Sequence, residues 1–144
     1  MINKGSLTFF YGSTATASPA FLKKIASERS AVLLSEHEWL SALYPGQIIS
    51  LEDYLNYSSR LKPRMKTYVQ HILSIGTNVV MDFPACTRQQ RRWFFELATE
   101  IKAEHELMII SEQHQKPEAA PSFRPHPQMF ETPDISEGLV IKVC

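Results

Sequence analysis

LTFFYGSTATASPAFLKKIASE, residues 7–28, decides how the rest of the chain is read. Its first five residues form an apolar run without polar alternation, which suits a strand buried on both faces. Gly12 opens a turn of small residues. Ser18 then offers a hydroxyl to the first free amides of a helix, and Pro19 fits the first helical position, where a missing N–H costs little. The same order recurs downstream. Short apolar runs at 31–35 (AVLLS), 78–82 (NVVMD), 107–110 (LMII) and 139–143 (LVIKV) alternate with helix-like stretches. Strands alternating with helices predict one α/β domain over residues 1–144, with a mostly parallel five-stranded sheet.

The helices announce their starts. Ser35 to Glu38 and Thr87 to Gln90 read as capping boxes, S-x-x-E and T-x-x-Q. From Ser50 to Ile75, apolar residues including Leu51, Tyr54, Leu61, Met65, Val69 and Leu73 recur at helical spacing, and Gly76 supplies a stop. Pro63 is expected to kink or split that segment. A further helix is expected from Thr87 to about Ala103, with Trp93, Leu97 and Ile101 on one face. Residues 111–138 hold five prolines and no sustained periodicity, so they read as a Pro-rich connection.

The totals narrow the function classes. The chain has 144 residues, 44% of them hydrophobic, enough for a single core. Fifteen basic residues balance fifteen acidic ones, so no global field draws it to nucleic acid or an anionic membrane. No apolar run approaches the roughly 20 residues of a membrane span, and the first residues lack the apolar core of a signal peptide, so a cytoplasmic protein is expected. Two cysteines, Cys86 and Cys144, are too few for a disulfide framework or a four-cysteine zinc site. The five histidines show no H-E-x-x-H or similar spacing, so no metal site is expected.

Ligands of an open α/β sheet sit beyond the carboxyl ends of the strands, which directs attention to 12–19, 35–38, 82–92 and 111–138. A Walker A loop reads G-x-x-x-x-G-K-[ST], its amides and lysine holding phosphates and its hydroxyl binding magnesium. Counted from Gly12, this chain has Ala17 for the second glycine, Ser18 for the lysine and Pro19 for the hydroxyl residue. A charge-assisted hydrogen bond contributes about 1.5–3 kcal/mol, so loss of the lysine alone weakens phosphate binding about tenfold to a few hundredfold. By spacing alone, an ordinary strand, turn and helix is the simpler reading of this stretch.

Resemblance adds an ancestry. LTFFYGSTATASPAFLKKIASE, AVLLSEHEWLSALYPGQIISLEDYLNYSSRLKP, VVMDFPACTRQQRRWFFEL, HELMII and FETPDISEGLVIKV together resemble the small bacterial P-loop ATP-binding proteins of the AAA-type and zeta-toxin-like kinase group. The resemblance implies a P-loop NTPase or kinase-like three-layer fold, ATP and magnesium as ancestral ligands, and phosphoryl transfer as the ancestral reaction. It implies that Gly12, Ser13, Thr14, Ala15, Thr16, Ala17, Ser18 and Pro19 descend from a phosphate cradle. It further implies an aspartate at position 37, where this chain has His37, and a helical lid where this chain has the Pro-rich stretch with Arg124.

The residues left to carry chemistry are His37 as a candidate base, Asp82 as a metal or substrate carboxylate, and Arg88 and Arg92 as charge stabilisers. Arg91 lies between those arginines, and an anion at this helix start would meet amides, dipole and guanidinium groups together. The plainer readings are a capping carboxylate for Asp82 and a solvated basic helix face for the arginines. Arg60, Lys62, Arg64 and Lys66 around Pro63 could touch phosphate or form another solvated face. Cys86 reads as a small buried or loop cysteine, and Trp39, Tyr44, Trp93, Phe94 and Phe95 as core rather than base-stacking residues. Two functions follow: a nucleotide-binding, kinase-like protein with a degenerate site, or a non-catalytic interaction module that uses 111–138 to bind a protein partner. A third reading is a decayed gene product without selected activity.

Overall fold

Alternate residues of the central strands enter separate cores, which is why those strands read as continuous apolar runs. The computed structural model describes residues 3–12, 16–110, 115–116 and 131–143. Its elements run β1 (Ser6–Tyr11), β2 (Thr16–Ala17), α1 (Pro19–Glu28), β3 (Ala31–Ser35), α2 (Glu36–Leu43), α3 (Leu51–Ser74), β4 (Asn78–Asp82), α4 (Arg88–Thr99), β5 (Glu104–Ile109), β6 (Gln115–Lys116), a 3-10 turn (Ile135–Glu137) and β7 (Ile141–Val143). The main sheet has the order β3-β4-β1-β5-β7, with every pairing parallel. Leu7, Phe9 and Tyr11 of β1 join one core with Met65, Val69 and Leu73 of α3 and Phe94 and Leu97 of α4. Phe10 enters the opposite core with Phe21, Leu22 and Ile25 of α1. The result is a three-layer α/β fold, helix on both faces of a parallel sheet.

The strand at the fourth run begins earlier than its apolar residues indicate, because β5 pairs with β1 from Ser6 opposite Glu104 to Tyr11 opposite Ile109. Its polar start is accommodated by charge. Glu106 is only 5% exposed, and it pairs with Arg29 and with Lys142 Nζ at 2.9 Å, while Thr8 Oγ1 donates to it at 3.1 Å. Paired in this way, a buried carboxylate is tolerated in a strand.

Two expected helices differ from their sequence reading. α3 runs unbroken through Pro63. Pro63 removes the N–H that would reach Ser59, but both residues are exposed, so the freed carbonyl faces solvent and the helix core face stays intact. α4 ends at Thr99 rather than near Ala103, because Lys102 takes a left-handed φ of 57° and Ala103 N–H turns back to Ala98 O at 2.9 Å. Its buried face is Arg91, Phe94, Leu97 and Ala98, with Trp93 only half-buried.

The Pro-rich connection is structured at both described ends. Gln115 and Lys116 pair antiparallel with Ala17 and Thr16. Asp134 caps the 3-10 turn in a reciprocal capping box with Glu137, and Gly138 leaves it at a φ of 77°. Ser13, Thr14, Ala15, Arg124 and most of 111–130 lie outside the described residues. Among the described residues, no helix is long and apolar enough to cross a membrane.

Candidate functional site

The carboxyl ends of β1, β4 and β3 lie side by side, and from β4 the chain crosses over β1 to β5. That reversal opens the crevice where parallel sheets place ligands. Gly12 follows β1 directly. Thr16 and Ala17 run in the β2–β6 ribbon, and Ser18 is extended, with φ −69° and ψ 147°. Ser18 Oγ accepts from Phe21 N–H at 3.2 Å and Ser18 O from Leu22 N–H at 3.0 Å. Of the first three residues of α1, Pro19 has no N–H and Phe21 spends its own on Ser18. This helix start is well capped and has few amides to spare.

Asp82, half-buried, ends β4 and is the register partner of Ser35, which ends β3. Ser35 Oγ accepts from Glu38 N–H at 3.5 Å and so caps α2. His37 is exposed on the first turn of that helix. Its neighbour Glu36 is 2% exposed. Glu36 accepts from Tyr54 Oη–H and, at 2.7 Å, from Ser58 Oγ–H, tying α2 to α3. The sequence reading passes over Glu36. Tyr54 and Ser58 stand one turn apart and share a face of α3, but nothing in the linear chain says that this face meets α2.

The arginines of α4 are placed very differently from one another. Arg92 is solvated, 78% exposed, and reaches Glu96 at 3.0 Å. Arg88 pairs with Asp134 at 3.3 Å, and its backbone N–H meets Glu131 Oε1, also at 3.3 Å. Arg91 is fully buried. It makes a two-pronged contact with Glu137 at 2.8 and 3.1 Å, donates to Ala85 O at 3.0 Å, and lies 5.5 Å from the centre of the Tyr11 ring. Neither a shared anion site nor a solvated face describes all three. Burial works to raise the Glu137 carboxyl, but hydrogen bonds from Arg91 and from the Asp134 amide outweigh it and hold the group below its ordinary range. The chain's own carboxylates, from residues 131–137, thus sit at the start of α4. Among the described residues, no three His, Cys, Asp or Glu side chains converge as a metal site would require.

These features, a parallel sheet of order β3-β4-β1-β5-β7 with a strand, turn and helix at its centre, define a P-loop NTPase or kinase-like fold. Residues 13–119 match the family described as AAA domain, and the chain belongs to that family. Among solved structures the chain is similar to APE1195, at 15% identity and TM-score 0.53, over 75% of this chain and 61% of that one. It is also similar to a mutant of the Mycobacterium tuberculosis APS kinase CysC, at 13% identity and TM-score 0.52, over 81% and 82% of the two chains. The same kinase in complex with AMPPNP and APS aligns at 13% identity and TM-score 0.54, over 77% of this chain and 66% of that one. The chain therefore spans less than two thirds of APE1195. No curated protein matches it.

Proposed function

We propose that this chain is a nucleotide-binding, kinase-like protein whose phosphate loop has degenerated, so that phosphoryl transfer is very weak or lost. The observation that carries the reading is the start of α1. Ser18 stands where a P-loop lysine belongs, and its hydroxyl is spent on capping the helix. Pro19 removes a further amide. The residues present do not fit a triphosphate as a Walker A loop does. ATP with magnesium remains the ligand pair implied by the family resemblance. In this reading Gly12 to Pro19 are a residual cradle, Asp82 is the carboxylate for metal or acceptor, His37 is a solvated base, and Arg88 and Arg92 stabilise charge. Asp134 and Glu96 already pair with those two arginines, which further lowers the expected rate.

The test is isothermal calorimetry of magnesium-ATP with the unmodified chain and with a variant carrying Ala17→Gly, Ser18→Lys and Pro19→Ser. Binding only in the rebuilt variant supports the reading. Micromolar binding by the unmodified chain refutes it. A second reading, a non-catalytic interaction module, is favoured by residues 131–137, whose carboxylates occupy the start of α4. In that reading the 111–138 segment binds a protein partner, and rebuilding the loop leaves ATP unbound.

A further inference from the structure

Four basic residues surround Pro63 on α3, and their surroundings differ. Arg60 is exposed, its guanidinium 5.5 Å from the centre of the Tyr57 ring. Arg64 is exposed, and Lys66 pairs with Glu100 at 2.7 Å. Lys62 is half-buried, yet has no carboxylate within salt-bridge distance among the described residues. Its Nζ lies 5.6 Å from the centre of the Trp93 ring.

Lys62 completes a stripe. Tyr54, Ser58 and Lys62 follow one another at intervals of one helical turn, and the first two donate to Glu36. Trp93 in turn stacks against Phe83, with centroids 6.3 Å apart. Glu36 follows directly on Ser35 and Phe83 directly on Asp82, and Ser35 and Asp82 are register partners. The Lys62 ammonium is therefore bracketed by groups anchored at the carboxyl ends of β3 and β4. Burial lowers its pKa and the charge of Glu36 opposes that shift, so the lysine is a partly desolvated cation that an anion would relieve. Glu36 spends hydrogen bonds on both hydroxyls, and it is not within salt-bridge distance of the Lys62 ammonium, whose described contact is the Trp93 ring.

We propose that Lys62, lying over Trp93, forms an anion subsite at the carboxyl ends of β3 and β4 that holds the phosphate or sulfate group of a small acceptor molecule. This deepens the kinase-like reading by placing the acceptor rather than the nucleotide. Its test requires no nucleotide, so either reading can fail without the other.

The host is the full chain carrying Trp39→Phe, which leaves Trp93 as the only tryptophan. Inorganic phosphate and sulfate are titrated separately at constant ionic strength, and tryptophan fluorescence is followed. We expect a saturable change with at least one anion, and the stronger response identifies the group. Lys62→Met should weaken that binding about tenfold or more, whereas Lys62→Arg and Arg64→Met should stay within about threefold of the host. Thermal melts check that each variant folds. An unsaturable response to both anions in the host overturns the proposal regardless of the variants. So does equal weakening by Lys62→Met and Arg64→Met, which would indicate diffuse charge rather than a site.

Discussion

Glu137→Gln isolates the buried ion pair that joins the 3-10 turn to α4. The substitution keeps the side chain's shape but removes its charge and one acceptor oxygen. Arg91 would then be a fully buried guanidinium with no charged partner, held by the one remaining side-chain oxygen at position 137, Ala85 O and the Tyr11 ring. Removing one partner of a buried pair costs about 3–5 kcal/mol, because the other charge remains desolvated. Glu137 has a side-chain exposure of 9%, so its partner is shielded from water and little solvent screening reduces that figure. Against a total stability of about 5–15 kcal/mol, the loss is a large fraction. At about 3 °C per kcal/mol for a domain of this size, the Tm should fall by roughly 10–15 °C. Urea unfolding followed by circular dichroism reads the same loss as a lower midpoint at unchanged slope. The double variant Arg91→Met, Glu137→Met removes both charges and should be less destabilised than Glu137→Gln alone, retaining a cost of about 1–3 kcal/mol for the unpaired Ala85 carbonyl. A cost below about 1 kcal/mol for Glu137→Gln would place the pair among exposed salt bridges and refute the reasoning.

Acid should destabilise the fold in two stages. Burial holds His105 below its ordinary pKa, and its Nε2 accepts from Val140 N–H at 3.3 Å, an arrangement only the neutral ring allows. Glu137 is held low as described, and the amide of Ser136 and the charge of Arg88 outweigh desolvation to hold Asp134 low as well. All three bind fewer protons folded than unfolded, so the stability they add is complete above their unfolded pKa values and is lost as pH falls through the folded ones. The Tm should decline first below about pH 6.5 and again below about pH 4, and a Tm that rises between pH 7 and 5 would contradict this. Pro63→Ala restores a helical N–H opposite the Ser59 carbonyl and should stabilise α3 by about 1–3 kcal/mol in urea unfolding. A loss of stability there would mean that proline's restriction of the unfolded chain outweighs the missing bond.

Much of the fold was legible because it is written locally. The Ser18–Pro19 helix start and the Thr87–Gln90 capping box depend on residues within one turn, and both stand in the structure as read. The apolar runs located all five strands of the main sheet, and they misplaced the start of β5 because Glu106 is neutralised by Arg29 and Lys142 from distant parts of the chain. The site was less legible for the same reason. Arg88, Arg91 and Arg92 are alike in sequence, and what separates a buried clamp from a solvated side chain is Glu137, a residue 46 positions away from Arg91. Lys62 likewise reads as one of four surface cations until α4 brings Trp93 beside it.

The place of β1 has a consequence for synthesis. It is the middle strand of the main sheet, and its two neighbours come much later in the chain, with Ser6 finally pairing Glu104. At about 5–20 residues per second, roughly 5–20 s of translation separate β1 from β5. Throughout that interval a strand whose residues 7–11 are all buried in the finished fold has an unpaired edge. The nascent chain is thus most vulnerable to aggregation before its fifth strand emerges, and a chaperone would find its substrate in LTFFY, residues 7–11.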